Sequence, residues 1–372
     1  MAHDLDREQW HRQLLQRDRA LSIEEAVESA AGIYSTAPTS YLSFMARVPG
    51  FSRSDLDRAL YQDRTLVRRA SLRGSGFLIP LERIDAVASA TDRQEWYTGA
   101  VDKIVGAERR RKLTTAILKA LDGRVLRARE IRAELGIAKE ESEALRYLLS
   151  SLSQHRQIAA ASGARSWRDN QHGYALWDQW FPDHPVRELA PEEAQAEVAW
   201  WYLGGHGPAT AEDFSWWSGL KKANAEKALS VVARATADGL YDVTGLDPAP
   251  APTGVRLLPI WDTAMVTQMS RRRMVDPPLY PYVYDASGNL TSTIVSDGTV
   301  VGVWDRSGDS DRIEIKAAFF QPPDDLVGAV ESEAALMASA VGASEFTVEI
   351  VDGIVDLTTA SRNRFMSPLS GT

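Results

Sequence analysis

The chain has 372 residues, 44% hydrophobic and 25% charged, with 42 Lys and Arg against 51 Asp and Glu and no cysteine. This composition excludes a disordered or fibrous chain, and zero cysteines exclude disulfides, thiolate metal sites and cysteine nucleophiles. There is no run of about 18 apolar residues to span a membrane and no apolar N-terminal stretch to serve as a secretory signal, so a cytoplasmic protein is expected.

Residues 7–31 read as two short helices separated near Ser22. Residues 52–62 read as a third, with Ser52 at the N-cap and Asp55 three residues on as a capping box. The stretch TLVRRASLRGSGFLIP (65–80), with Gly74 and Gly76 at its centre, predicts a β-hairpin or extended ribbon crowded by Arg64, Arg68, Arg69 and Arg73. Helices followed by a basic ribbon give a first winged-helix-like module over 1–98.

A second module, 99–184, is more regular. A helix at 107–121 ends at Asp122-Gly123, and a short helix at 128–135 is closed by Gly136. The helix at 140–154 carries Ala144, Leu145, Leu148, Leu149 and Leu152 at helical spacing. Two strands within 156–177 then flank a tip bearing Arg165 and Arg168. A third winged helix, 185–248, begins at Glu192 with a helix ending at Gly204-Gly205. Thr210 and Asp213 cap its next helix, Gly219 stops that one, and a helix at 221–237 follows. The three units make a degenerate repeat in order of elements. After a Pro/Ala linker at 246–254, short β runs divided by turns and interrupted by one helix at 324–341 predict a C-terminal barrel or sandwich over 249–372. The expected fold is α+β: three tandem winged-helix modules followed by a β-barrel-like domain.

A net charge of −9 argues at first sight against nucleic acid. The charge is uneven, however. Residues 51–80 hold six Arg against three Asp, and residues 101–180 hold fifteen basic against ten acidic residues. Residues 181–250 hold five against eleven, and 251–372 nine against sixteen. The arginine clusters on the two ribbons have the chemistry to neutralise phosphates along a groove, or to form a solvated, locally ion-paired surface. At the recognition position the second module offers Glu140, Glu141 and Glu143, which repel phosphate. The third offers Lys221, Lys222, Asn224 and Lys227, which suit a DNA backbone. Neither has the Arg, Asn and Gln density of a sequence reader, so shape- or lesion-directed binding is expected.

Other motifs are sparse. The six His lack HExxH spacing, and no GxSxG or phosphate-binding glycine loop occurs, so neither a metal nor a cofactor is expected. His206 reads as a turn residue. The pairs Trp200-Trp201 and Trp216-Trp217 each read as one buried and one half-buried ring. The Arg271-Arg272-Arg273 triplet reads equally as a backbone clamp or a solvated loop.

Several stretches together resemble the bacterial winged-helix DNA glycosylases of the AlkZ/YcaQ type. They are YLGGHGPATAEDFSWWSGL (202–220), RLLPIWDTAMV (256–266) and TIVSDGTVVGVW (293–304), supported by YLSFMARVPGFSRSDLDRAL (41–60) and LVRRASLRGSGFLIP (66–80). The resemblance implies tandem winged helices closed by a β-barrel, damaged double-stranded DNA as partner, and hydrolysis of the N-glycosidic bond of alkylated or cross-linked purines. Members of the family carry two glutamines flanking one residue before a Pro, which hold the attacking water. Here Gly32 to Pro38 places Tyr34 and Thr36 at those positions, and Phe77 stands where a His usually follows the Arg-Gly turn.

Tyr34 and Thr36 are therefore the catalytic candidates. Their hydroxyls can orient water, but neither is a good base at neutral pH, since Tyr titrates near about 10. Asp55, Asp57 and Asp63 are the carboxylates nearby in sequence. A glycosylase of weakened or lost activity is expected. The alternative is a non-enzymatic winged-helix DNA-binding protein, either a transcriptional regulator or a lesion-binding scaffold. Whether the acidic C-terminal region takes a protein partner is left open.

Overall fold

The computed structural model describes residues 2–19, 21–91, 94–163, 166–243, 249–269, 273–308, 311–322, 325–359 and 367–369. Its first region runs α1 (Ala2–Arg12), α2 (Ile23–Ser29), β1 (Ile33–Tyr34), α3 (Thr39–Met45), α4 (Arg53–Tyr61), β2 (Leu66–Ala70), β3 (Gly76–Pro80) and α5 (Ile84–Ala90). Helix α2 starts where its capping residues dictate. The Ser22 hydroxyl accepts from the Glu25 amide at 3.0 Å, and the Glu25 carboxylate accepts from the Ser22 amide at 2.8 Å. Strands β2 and β3 form the hairpin expected over 65–80, and β1 adds a third strand with Tyr34 opposite Phe77.

The second region holds α6 (Gln94–Val105), α7 (Ala107–Leu121), β4 (Leu126–Arg127), α8 (Ala128–Glu134), α9 (Ser142–Gln154), β5 (Ile158–Ser162), β6 (Gly173–Leu176) and the short α10 (Trp177–Trp180). Ile117, Leu121, Ile131, Leu145, Leu149 and Ile158 share one core, so the apolar spacing read on 140–154 marks the buried face of α9.

Then come α11 (Pro191–His206), α12 (Ala211–Ser218) and α13 (Lys222–Val232). Helix α11 continues through Gly204-Gly205, where a stop was expected. A Cβ on Gly205 would meet the Ser29 carbonyl oxygen at 2.4 Å, so this glycine lets α11 approach the end of α2 instead of ending a helix. Gly219 does terminate α12, in the left-handed region at φ +79°. Helix α13 stops at Val232, short of the expected 237. Among the described residues the extended element of this unit is a single bridge, Ala209 to Tyr241, where a wing would have two paired strands.

The last region comprises β7 (Val255–Leu258), α14 (Thr263–Val266), α15 (Tyr280–Val283), β8 (Thr293–Ser296), β9 (Thr299–Gly308), β10 (Arg312–Phe319), α16 (Leu326–Val341) and β11 (Glu345–Ile350). The expected barrel is here an open sheet of order β11-β10-β9-β8-β7, with no closing pair among the described residues. The reason lies in α16, which carries the chain across the sheet so that β11 adds parallel to β10 on an outer edge. Instead of closing on itself, the sheet buries its apolar side chains against α16 and the N-terminal helices. Leu42, Phe44 and Leu60 share one core with Leu257, Ile294 and Met337. Among the described residues no helix is long and apolar enough to cross a membrane.

Candidate functional site

The stretch joining β1 to α3 lies where three regions meet. Gly32 (φ +91°) opens it, and a Cβ there would come within 3.3 Å of the Phe77 ring and 3.4 Å of the Leu78 carbonyl, so only glycine passes. The backbone beyond is held from several sides. The Ser35 amide donates to Gly76 O at 2.9 Å, and the Arg68 guanidinium donates to Ser35 O. Asn170, between β5 and β6, accepts from the Ala37 amide at 2.6 Å and donates to the Ala37 carbonyl at 3.3 Å. Thr39 donates to Ile260 O at 3.0 Å, tying the start of α3 to the segment after β7. Tyr34 and Thr36 are both half-buried.

On the Tyr34 side lies an aromatic cavity of about 140 Å³. The Tyr34 ring sits 5.2 Å from Trp261 and 5.6 Å from Phe77, and Trp216 and Trp217 complete the walls. The exposed Arg73 lays its guanidinium 3.7 Å over the Trp216 ring, a cation–π contact at the rim. Trp216 donates to Val266 O at 3.1 Å, whereas the buried Nε1 of Trp217 has no acceptor among the described residues. No carboxylate of the described residues lines this cavity, and Thr36 does not line it either.

The opposite flank is polar. Tyr41 donates to Asp57 at 2.9 Å, and Arg53 donates to the other Asp57 oxygen at 3.3 Å. Burial and the Asp57 charge raise the Tyr41 phenol above its ordinary value. Burial also raises Tyr61 and Tyr174, the latter to about 12, against the opposing charge of Arg68. Enclosure and then Arg68 lower His172 to about 4, so it is neutral at physiological pH. A Cβ on Gly163 would stand 3.1 Å from the Tyr61 ring, which places the segment after β5 directly on α4. Of the three nearby carboxylates only Asp57 belongs to this cluster. Asp55 accepts from the Ser52 amide and from Arg58, and Asp63 faces Arg58 at 3.7 Å.

The arginines of the first ribbon part company. Arg64 donates to Trp180 O at 2.8 Å and stacks 4.1 Å over that ring. Arg68 and Arg69 are buried, and Arg69 donates to Gln154 O at 2.8 Å. Their expected grip on phosphate is corrected here. Strand β2 is packed among α4, α9 and β5, so these guanidiniums satisfy interior carbonyls. Arg165, Arg271 and Arg272 lie outside the described residues. Arg168 is exposed and donates to Gly308 O. Lys221 is exposed, Lys222 pairs with Glu212, and Lys227 lies 3.7 Å from Glu192. Arg273 is neither clamp nor solvated loop: it is buried and donates to Pro208 O and, at 3.2 Å, to Gln9.

Sequence reasoning missed the supports behind the cavity. Arg47 makes a fully buried two-pronged pair with Asp262, at 2.7 and 2.8 Å, and Ser43 donates to the same carboxylate at 2.7 Å. Burial alone would raise Asp262, but the guanidinium overcomes it and the net direction is down. This pair fixes the chain next to Trp261, itself held in the left-handed region at φ +58°. His206 is a core residue instead of a turn residue. Its Nε2 faces Ala30 O at 3.0 Å and its Nδ1 faces the Thr267 hydroxyl at 3.0 Å, which makes Nε2 the donor. Burial lowers it to about 3. Trp216-Trp217 divides as expected into a half-buried and a buried ring, whereas beside the buried Trp201 the ring of Trp200 is exposed instead of half-buried.

A family model described as DNA glycosylase AlkZ-like matches residues 27–340. An interstrand DNA cross-link repair glycosylase of Streptomyces sahachiroi is 32% identical to this chain in an alignment covering 43% of it and 46% of that relative, so the match spans less than half of the relative's length. The solved structure of Streptomyces sahachiroi DNA glycosylase AlkZ superposes with a TM-score of 0.70 at 24% identity, covering 94% of this chain and 99% of the other, which establishes a shared fold.

Proposed function

The chain belongs to the AlkZ-like DNA glycosylase family, and on that premise we propose that it hydrolyses the N-glycosidic bond of alkylated or cross-linked purines in double-stranded DNA. The observation that carries this reading is the placement of the 34–38 loop between a nucleobase-sized aromatic cavity and a polar cluster containing a carboxylate. A base swung out of the duplex stacks in the cavity, where each aromatic contact contributes roughly 1–3 kcal/mol. Tyr34 and Thr36 orient the water, and Asp57 takes its proton. The water oxygen bonds to the anomeric carbon as the C–N bond breaks, and the electron pair leaves on the purine. An alkylated, cationic purine is already a good leaving group, so positioning supplies most of what is needed.

Arg73, Arg168 and Lys221 are the exposed cations assigned to the DNA backbone, with Arg64, Lys222 and Lys227 at its margin and Arg165 on the wing tip. In this reading the chain comprises winged-helix-like units at 1–98, 99–184 and 185–248 and a β-rich unit at 249–372, in the cytoplasm and on the nucleoid when bound. The test is a duplex carrying 7-methylguanine or a bulky purine adduct, incubated with excess protein and scored for alkali-labile abasic sites. Absence of cleavage overturns the catalytic assignment.

The replacement of both glutamines favours a second reading, a lesion-binding scaffold. Competition between modified and unmodified duplexes at fixed salt identifies it by preference for damage, whereas a transcriptional regulator shows preference for a sequence.

A further inference from the structure

Arg168 and Arg306 meet at the seam between the 166–170 segment and β9. Arg168 is exposed and donates to Gly308 O, while Arg306, two residues before Gly308, lies 4.7 Å over the ring of Trp167. Trp167 is 1% exposed and belongs to the core shared by the sheet and the N-terminal helices, so it holds the Arg306 fork in place. Among the described residues neither guanidinium has a carboxylate partner, and that of Arg306 makes no hydrogen bond. Its Nη1 is buried, whereas Nε and Nη2 are not closed off from solvent. The acids nearby are turned elsewhere. Asp169 accepts from the Gln171 amide at 2.9 Å, Asp305 from the Arg306 amide at 2.7 Å, and Glu314 from the Ser307 hydroxyl at 2.9 Å. Burial, and after it the charge of Arg168, lower the Arg306 guanidinium to about 10, and Asp305 offsets less than Arg168 opposes.

We infer that Arg168 and Arg306 together form a phosphodiester site, by which the C-terminal sheet grips the DNA strand beside the target nucleotide. The inference rests on the DNA partner of the proposed function and not on its catalytic step. Two like charges held together without an acid are relieved by an anion, and arginine forks match the oxygens of a phosphate. The chain sets where that phosphate lies. Arg168 is two residues, at most about 7 Å, from Asn170, whose side chain grips Ala37 of the 34–38 loop. Successive bases of one strand rise about 3.4 Å each, so the bound phosphate is within a few nucleotides of the one that the loop addresses.

The experiment measures the affinity of the full chain for a duplex holding one tetrahydrofuran abasic site, across a range of salt. Arg306→Gln is expected to lower the salt slope by about one, and Arg306→Lys, which keeps the charge, to retain it. One uncharged methylphosphonate, placed in turn at each phosphate near the abasic site, then locates the contact. At one position it should weaken wild type about tenfold and leave Arg306→Gln unchanged. The site is overturned by an unchanged slope in folded Arg306→Gln or by an equal loss of slope in Arg306→Lys. Methylphosphonate costs as large in Arg306→Gln as in wild type at every position overturn it too. Absence of binding by wild type overturns the DNA reading together with the site. Binding without strand cleavage of a 7-methylguanine duplex leaves the site standing and overturns only the catalytic reading.

Discussion

The two flanks of the 34–38 loop are built from opposite materials. One side is a cage of Tyr34, Phe77, Trp216, Trp217 and Trp261 with no carboxylate among its described lining residues. The other gathers Asp57 and Arg68 with Tyr41, Tyr61, His172 and Tyr174, and burial together with the charge of Arg68 or Asp57 shifts the ionisations of the three phenols and the imidazole. Rings recognise a flat base without regard to protonation, whereas a carboxylate hydrogen-bonded to a phenol can take a proton. In the proposed function the contrast separates recognition from chemistry, and it can be broken by variants that touch one flank alone.

The largest effect is expected from Asp57→Asn. Single-turnover cleavage of a 7-methylguanine duplex should fall by about 10²–10⁴-fold while dialysis binding of the free base stays unchanged. A parallel loss of base binding would mean that the flanks do not act separately. Asp262→Asn comes next, because it strands the fully buried Arg47 guanidinium. A loss of about 3–5 kcal/mol in urea unfolding is expected, since a buried pair is costly to break. An unchanged midpoint would remove this pair as the support of Trp261.

A smaller, pH-dependent effect follows from His206. Its folded value of about 3 lies below the roughly 6.5 of the unfolded chain. The native state therefore holds it neutral, its contribution is complete above pH 6.5, and it is lost as pH falls towards 3. Stability should drop by up to about 1.4 kcal/mol per pH unit within that window. Urea midpoints at pH 7 and pH 5 should differ less in His206→Gln than in wild type, and equal differences would assign the dependence to other groups. The smallest effect concerns the ribbon. Arg73→Ala should lower the salt slope of DNA affinity by about one, whereas Arg69→Ala should lower thermal stability and leave that slope alone.

Capping chemistry made much of the helical order legible. Ser52 with Asp55 and Thr210 with Asp213 announce α4 and α12, and Gly219 announces a stop. These signals are local, so sequence carries them. Gly205 misled because it serves contact with α2, and the basic ribbon misled because packing on both faces of β2 cannot be read from its own letters. The open sheet escaped prediction for the same reason: which surface covers it depends on residues some 200 positions away. Tyr34 and Thr36 are candidates by resemblance alone, whereas the cavity walls come from five separate stretches and needed coordinates. Asp57 was one of three equal carboxylates until Tyr41 singled it out.

Asn170 gripping both the amide and the carbonyl of Ala37 has a further consequence. The 34–38 loop is held jointly by the first and second regions of the chain. A fragment ending at residue 98 would contain every atom of the loop and lack this clamp on it. Any motion that lifts the β5–β6 segment also breaks both hydrogen bonds on Ala37 and frees the backbone between Tyr34 and Thr39 on that side.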